Sequence, residues 1–165
     1  MKRSSVDADR RRPFHVETDV GPLAVSVDAN EQVQAIHLNT RGERPAATQF
    51  EELVASELTE YARGDRRTFS FSINPRGSPF DEAVWDVLRG IPYGETKSYG
   101  DVARAIGQPG ASRAVGAANN RNPIPIVIPC HRVVGSDGSL VGFGGGLPLK
   151  RRLLAIEGVV EGELF

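Results

Sequence analysis

Apolar and polar positions alternate along the first forty residues. Phe14, Val16 and Thr18 are separated by polar neighbours, Leu23, Val25 and Val27 repeat the period of two, and Ala35, Ile36 and Leu38 follow. Successive strand side chains point to opposite faces, so this period predicts two or three short antiparallel strands. Gly21-Pro22 and Asp28-Ala29-Asn30 supply the turns. From Thr48 the period lengthens. Phe50, Leu53, Val54, Leu58 and Tyr61 recur at three- and four-residue intervals and predict a helix to Arg63. Thr48 with Glu51 forms a capping-box pattern, and Gly64 is a stop. Phe69, Phe71 and Ile73 predict a further strand over 68–73. Asn74-Pro75-Arg76-Gly77 then breaks the chain, which places a small α/β domain at 13–77 and a second domain at 78–165.

The second half opens with Ser78-Pro79 as N-cap and first helical residue, and Asp81 and Glu82 complement the helix dipole. Val84, Val87 and Leu88 form its buried stripe, and Gly90 ends it. After Ile91-Pro92-Tyr93-Gly94, Ser98 caps a helix through Ile106, Gly107-Gln108-Pro109-Gly110 turns, and Ala111 to Asn119 forms a second helix of mostly small residues. Taken alone, this pattern favours a tightly packed helical hairpin over a DNA-reading helix–turn–helix, which it also fits. Asn122-Pro123-Ile124-Pro125-Ile126-Val127-Ile128-Pro129 is predicted to be extended and buried, because proline restricts the residue before it. A glycine-rich loop, Gly142-Phe143-Gly144-Gly145-Gly146, precedes a last helix that starts at Pro148 and ends at Glu157-Gly158.

The chain has 165 residues and a net charge of −1. Its charge is uneven, with nine basic residues against three acidic ones between 89 and 152. That +6 surplus suits either a phosphate-facing surface or a solvated face without a partner. No apolar run approaches the ~18 residues that a membrane span needs. Met1 to Arg12 holds five Arg or Lys residues and no apolar stretch, so it reads as a mobile tail rather than a secretory signal. With one cysteine, neither an internal disulfide nor a Cys-rich zinc site can form, which points to a reducing, cytoplasmic setting.

That cysteine, Cys130, is the candidate nucleophile. A lone thiol is often a small core residue, but His131 and Arg132 follow it directly and a proline-rich segment fixes its backbone. At an ordinary pKa only about 3% of a thiol is ionised at pH 7, so a base is needed. His131 is the obvious candidate. Neighbours on an extended segment point apart, however, so contact requires a turn or a bridging water. Glu157 is the best placed acid to orient His131. The glycine cluster lacks the dinucleotide and P-loop patterns. It is either a loop that approaches a ligand closely or a plain connector.

Ile128-Pro129-Cys130-His131-Arg132-Val133 resembles the active-site signature of the O6-alkylguanine-DNA alkyltransferases, or methylated-DNA–protein-cysteine methyltransferases. Ile91-Pro92-Tyr93-Gly94, Ser98-Tyr99, Ser112-Arg113-Ala114-Val115-Gly116, Asn122-Pro123, Gly145-Gly146 and Leu154 to Gly158 fall in family order at family spacing. The resemblance covers roughly Phe80 to Gly158 and is loose before that. It implies a ribonuclease-H-like α/β N-terminal domain and a mostly helical, winged-helix-like C-terminal domain with a helix–turn–helix. Cys130 would accept the alkyl group, His131 would activate it through water, Glu157 would orient His131, and Asn122 would brace the Cys130 segment. Arg113 would fill the gap left by an extruded base and Tyr99 would rotate the nucleotide out, with Ser98, Ala114, Gly116 and Arg132 also at the DNA. Tyr99, Val141, Phe143, Gly144, Gly145 and Lys150 would line the base pocket.

The implied partner is double-stranded DNA containing O6-alkylguanine, met by a protein that is monomeric in solution and open to cooperative assembly on DNA. The implied reaction is a single irreversible transfer, with O4-alkylthymine as a further substrate. It needs no cofactor and no metal. Two positions depart from the family pattern: Phe143 replaces a tyrosine, and Gly144 stands where some members have serine. Those departures keep a second reading in view, a non-catalytic protein that binds alkylated DNA and recruits other repair factors, although Cys130 argues against it. A cysteine hydrolase using Cys130 and His131 is a third, with no dedicated motif.

Overall fold

Three antiparallel strands open the chain in a computed structural model that describes residues 12–160. They are β1 (Phe14–Thr18), β2 (Gly21–Val27) and β3 (Val33–Leu38), in sheet order β1-β2-β3. Phe14 pairs with Val25, and Val25 in turn with Ile36. All three side chains are buried, so one face of the sheet carries the apolar set the alternation predicted. Helix α1 (Gln49–Ala62) packs on β1. Its N-terminus is closed by the reciprocal capping box of Thr48 and Glu51, and Val54, Leu58 and Tyr61 are its core residues. Leu53 leaves the expected stripe and is exposed, while Glu57 is buried.

The strand expected over 68–73 does not form. Ser70 gives its N–H and hydroxyl to Glu57, and the Phe69 ring packs tilted against both Tyr61 and Phe71. Only an isolated bridge between Val33 and Ile73 remains of the ladder. A buried carboxylate has taken the backbone donor that a neighbouring strand would have used.

The chain divides between Pro75 and Arg76 into two compact units. The second unit starts with helix α2 (Pro79–Arg89), capped by Ser78 onto the Asp81 N–H. Helices α3 (Tyr99–Ala105) and α4 (Ser112–Asn120) follow, with α5 (Leu147–Ile156) last. Two-residue strands β4 (Lys97–Ser98) and β5 (Val133–Val134) pair in parallel. Trp85 of α2 is buried and donates to the Ala118 carbonyl of α4 at 2.9 Å. Arg121 grips Asp81 and holds that carboxyl below its usual pKa. Together these contacts pin α4 to α2. Among the described residues no helix is long and apolar enough to cross a membrane. The charged stretch expected to be a mobile tail lies, up to residue 11, outside the described residues.

Candidate active site

The proline-rich segment is buried as expected but is not extended. Ile128 N–H bonds to the Ile124 carbonyl at 2.9 Å, and Ile126 has a φ of 75°. The prolines restrict Asn122, Ile124 and Ile128, which precede them, but leave Ile126 unrestricted, so the fold occurs there. Left-handed backbone at a β-branched residue costs about 1–3 kcal/mol. Full burial of Ile124, Ile126 and Ile128 offsets it, at ~2 kcal/mol for each side chain.

A second tight turn follows. Pro129 (φ −81°, ψ 66°) is the centre of an inverse γ-turn closed by Cys130 N–H to the Ile128 carbonyl at 2.8 Å. Cys130–Arg132 then forms one turn of 3₁₀ helix. The sequence-based objection to cooperation between Cys130 and His131 assumed an extended chain, and the observed turn removes it.

Glu157, at the C-cap of α5, is the hub of the buried polar groups. His131 Nε2 lies 2.6 Å from its Oε2. Arg132 donates Nε to Oε1 at 2.8 Å and Nη2 to Oε2 at 3.1 Å, and Gly94 N–H donates to Oε1 at 3.1 Å. Arg132 Nη1 also holds the Ile91 carbonyl at 2.7 Å. A carboxylate forked by an arginine is an acceptor only, so Nε2 carries the imidazole proton and Nδ1 is left basic. Burial keeps His131 below its ordinary pKa despite the pull of Glu157.

Around the sulfur, burial dominates. Cys130 is 5% exposed, and desolvation pushes its thiol up to about 11, against opposing contributions from the Asn122 amide, the Lys150 charge and the N–H groups of Cys130 and His131. Asn122 also braces the turn, donating to the Ile128 carbonyl at 2.7 Å and accepting from Ile124 N–H at 2.9 Å. Lys150 is fully buried. It donates to the carbonyls of Val133 at 2.6 Å, Val141 at 3.0 Å and Gly142 at 3.4 Å, and desolvation brings its pKa down to about 8. Its protons therefore tether the start of the glycine loop to β5.

These observations meet what known proteins show. The model of the 6-O-methylguanine DNA methyltransferase DNA-binding domain matches residues 79–159. A methylated-DNA–protein-cysteine methyltransferase of Mycobacterium leprae is 44% identical over 148 residues, which is 86% of this chain and 89% of that protein. The chain belongs to the methylated-DNA–protein-cysteine methyltransferase family. A member from Methanosarcina acetivorans is 51% identical over 102 residues, a match spanning 62% of this chain and 65% of that protein. The crystal structure of Mycobacterium tuberculosis OGT in complex with DNA superposes with a TM-score of 0.81 at 36% identity, covering 92% of this chain and 96% of that one.

In this family member Tyr99 stands between α4 and the glycine loop. A Cβ on Gly116 would lie 3.8 Å from its ring, its hydroxyl donates to the Val141 carbonyl at 2.9 Å, and Lys150 Nζ is 6.0 Å from the ring centre. Arg113 and Ala114 are exposed on α4, with Gly116 one turn on. Ser98 caps α3 through the Asp101 N–H. Val141 and Gly144 are exposed, and Phe143 and Gly145 half-buried. Arg132, which the resemblance places at the DNA, is buried, with Nε and Nη2 on Glu157 and Nη1 on the Ile91 carbonyl. The basic surplus is partly neutralised by pairing, Arg121 with Asp81 and Arg104 with Asp101 at the surface and Arg132 with Glu157 in the interior, while Lys150 is buried against carbonyls. Sequence reasoning missed Gly94 and Ile91 as partners of this cluster, and Asn119, whose amide donates to the Cys130 carbonyl at 3.3 Å.

Proposed function

We propose that this protein repairs alkylated DNA by moving the alkyl group of O6-alkylguanine onto Cys130, once per molecule, with O4-alkylthymine as a second substrate. The observation that carries the reading is the single 3₁₀ turn, in which a buried thiol is followed by an imidazole held on a carboxylate. The sulfur–carbon bond forms as the O6–carbon bond breaks. The thiol proton passes through water to His131 Nδ1, and the departing guanine takes up a proton in its place. Because the resting thiol is raised to about 11, roughly one molecule in ten thousand is ionised at pH 7. Ionisation therefore belongs to the DNA-bound state, in which His131 accepts the proton. A thioether does not hydrolyse back to a thiol, so turnover ends there. The transfer needs no metal or cofactor.

A guanine O6 inside a duplex is out of reach, so the nucleotide is flipped, against a barrier of a few kcal/mol. Arg113 is the wedge that fills its place, on a helix whose small residues Ala114 and Gly116 allow a close approach. Tyr99 turns the nucleotide out, Ser98 sits beside it at the start of α3, and the loop from Val141 through Phe143, Gly144 and Gly145 walls the base. We further propose that residues 13–77 form a ribonuclease-H-like domain and 78–165 a winged-helix-like domain, acting on double-stranded DNA in the cytoplasm.

Incubation with an oligonucleotide containing O6-methylguanine, followed by intact mass, tests the reading. One added methylene on Cys130, at a stoichiometry of one and absent in Cys130→Ser, is expected. A gel shift with unchanged mass points instead to a non-catalytic binder, and product in excess of protein points to a hydrolase.

A further inference from the structure

Asn119 is 2% exposed, in the last turn of α4. Its Nδ2 donates to the Cys130 carbonyl at 3.3 Å, while its Oδ1 is buried with no hydrogen-bond partner among the described residues. A buried acceptor left unpaired is unfavourable, and an apolar side chain of the same size avoids that penalty. The amide's retained function therefore lies in its donor half. The Cys130 carbonyl also receives Val133 N–H, the bond that closes the 3₁₀ turn. One residue before Pro129, Asn122 holds the Ile128 carbonyl at 2.7 Å. The two amides, three residues apart, thus grip the chain on either side of Pro129.

The carbonyl that Asn119 holds belongs to the peptide joining Cys130 to His131. In a trans peptide the C=O and N–H are rigidly antiparallel, so fixing the carbonyl also fixes the N–H of His131. That N–H is one of the groups that favour a negative charge on the sulfur. A hydrogen bond to one end of a peptide also polarises the other. We propose that Asn119 is a positioning residue for the nucleophile, holding the Cys130–His131 peptide and with it the 3₁₀ turn that presents the sulfur. The proposal rests on the reading of Cys130 as the acceptor. It ties the sulfur to the same helix that carries Arg113.

The test is Asn119→Met, which preserves bulk and removes the donor. Cys130 is the only thiol, so its ionisation can be followed by the pH dependence of its reaction with iodoacetamide, with no DNA present. The thiol's midpoint is expected to rise by about one unit, with transfer from O6-methylguanine DNA falling about tenfold near neutral pH. DNA affinity is expected to be unchanged. A variant whose thiol titrates as in the parent protein overturns the assignment, whatever its transfer rate. Loss of transfer in the parent protein itself would instead count against the acceptor reading, so the two failures are distinguishable. If Asn119→Met does not fold, Asn119→Ala is read in the same way. If neither folds, the amide is a folding determinant and the proposal falls.

Discussion

His131 Nε2 and Glu157 Oε2 lie 2.6 Å apart, with neither side chain exposed to solvent. The same carboxylate carries both Nε and Nη2 of Arg132, so one acidic group neutralises a guanidinium and orients an imidazole. Breaking a buried ionic pair by removing one partner costs about 3–5 kcal/mol, because the other charge stays behind. Glu157→Gln keeps the shape and loses the charge. A drop of about 3 kcal/mol in urea denaturation is expected, with a loss of alkyl transfer of at least tenfold in the fraction that remains folded. A variant as stable as the parent would show that the hub is not ionic.

Arg132 provides a second check on that geometry. Lysine cannot reproduce three donors in a planar fork, so Arg132→Lys is expected to lose about 2–3 kcal/mol of stability. Arg132→Met removes the charge as well, and in its folded fraction a lost phosphate contact would flatten the salt dependence of DNA binding by close to one unit in the log–log slope. An unchanged slope is expected, measured by fluorescence anisotropy from low to moderate salt. A flattened slope would return Arg132 to the DNA surface.

What the sequence revealed follows from how local each determinant is. The Thr48–Glu51 box, the Ser78 and Ser98 caps and the three N-terminal strands are settled by neighbours a few residues apart, and all were legible. Cys130, His131 and Glu157 were marked as candidates, but the route between them was not, because the turn at Ile126 depends on burying three isoleucines in a core that the sequence does not display. Burial of Lys150 depends on carbonyls offered by β5 and by the segment at Val141 and Gly142, contacts that its own neighbours in sequence do not display. The ion pair of Arg132 was not legible because its partner lies 25 residues away. Asn119 did carry a signal: it stands four residues after Val115, on the apolar face of α4, where a polar side chain needs a reason to be.

The acid limb of stability should report on His131. Its folded pKa is lowered, chiefly by burial, so the unfolded chain binds this proton more readily than the folded one. The associated stability is fully present above the unfolded value of about 6.5 and is lost as pH falls through the lower folded value. Denaturant titrations between pH 7 and pH 5 are expected to show a falling midpoint, with a slope approaching 1.4 kcal/mol per pH unit. In His131→Asn the slope across that window should flatten, whatever its absolute stability. An equal slope in both proteins would assign the acid sensitivity elsewhere.

The wedge assignment makes the most discriminating demand on function. Arg113 is exposed on α4, and alanine is the best helix former, so Arg113→Ala should fold as the parent does. In a duplex the flipped nucleotide leaves a gap whose unstacking costs a few kcal/mol, and an inserted side chain offsets part of it. In a single strand there is no stacked partner to replace. Transfer from O6-methylguanine is therefore expected to slow by about ten- to a hundredfold on duplex substrate and by less than about threefold on the same strand unpaired. Single-turnover rates from intact-mass time courses on both substrates provide the comparison. Equal losses on the two would mean that Arg113 serves backbone affinity alone, and the element that keeps the helix open would have to be sought elsewhere on α4.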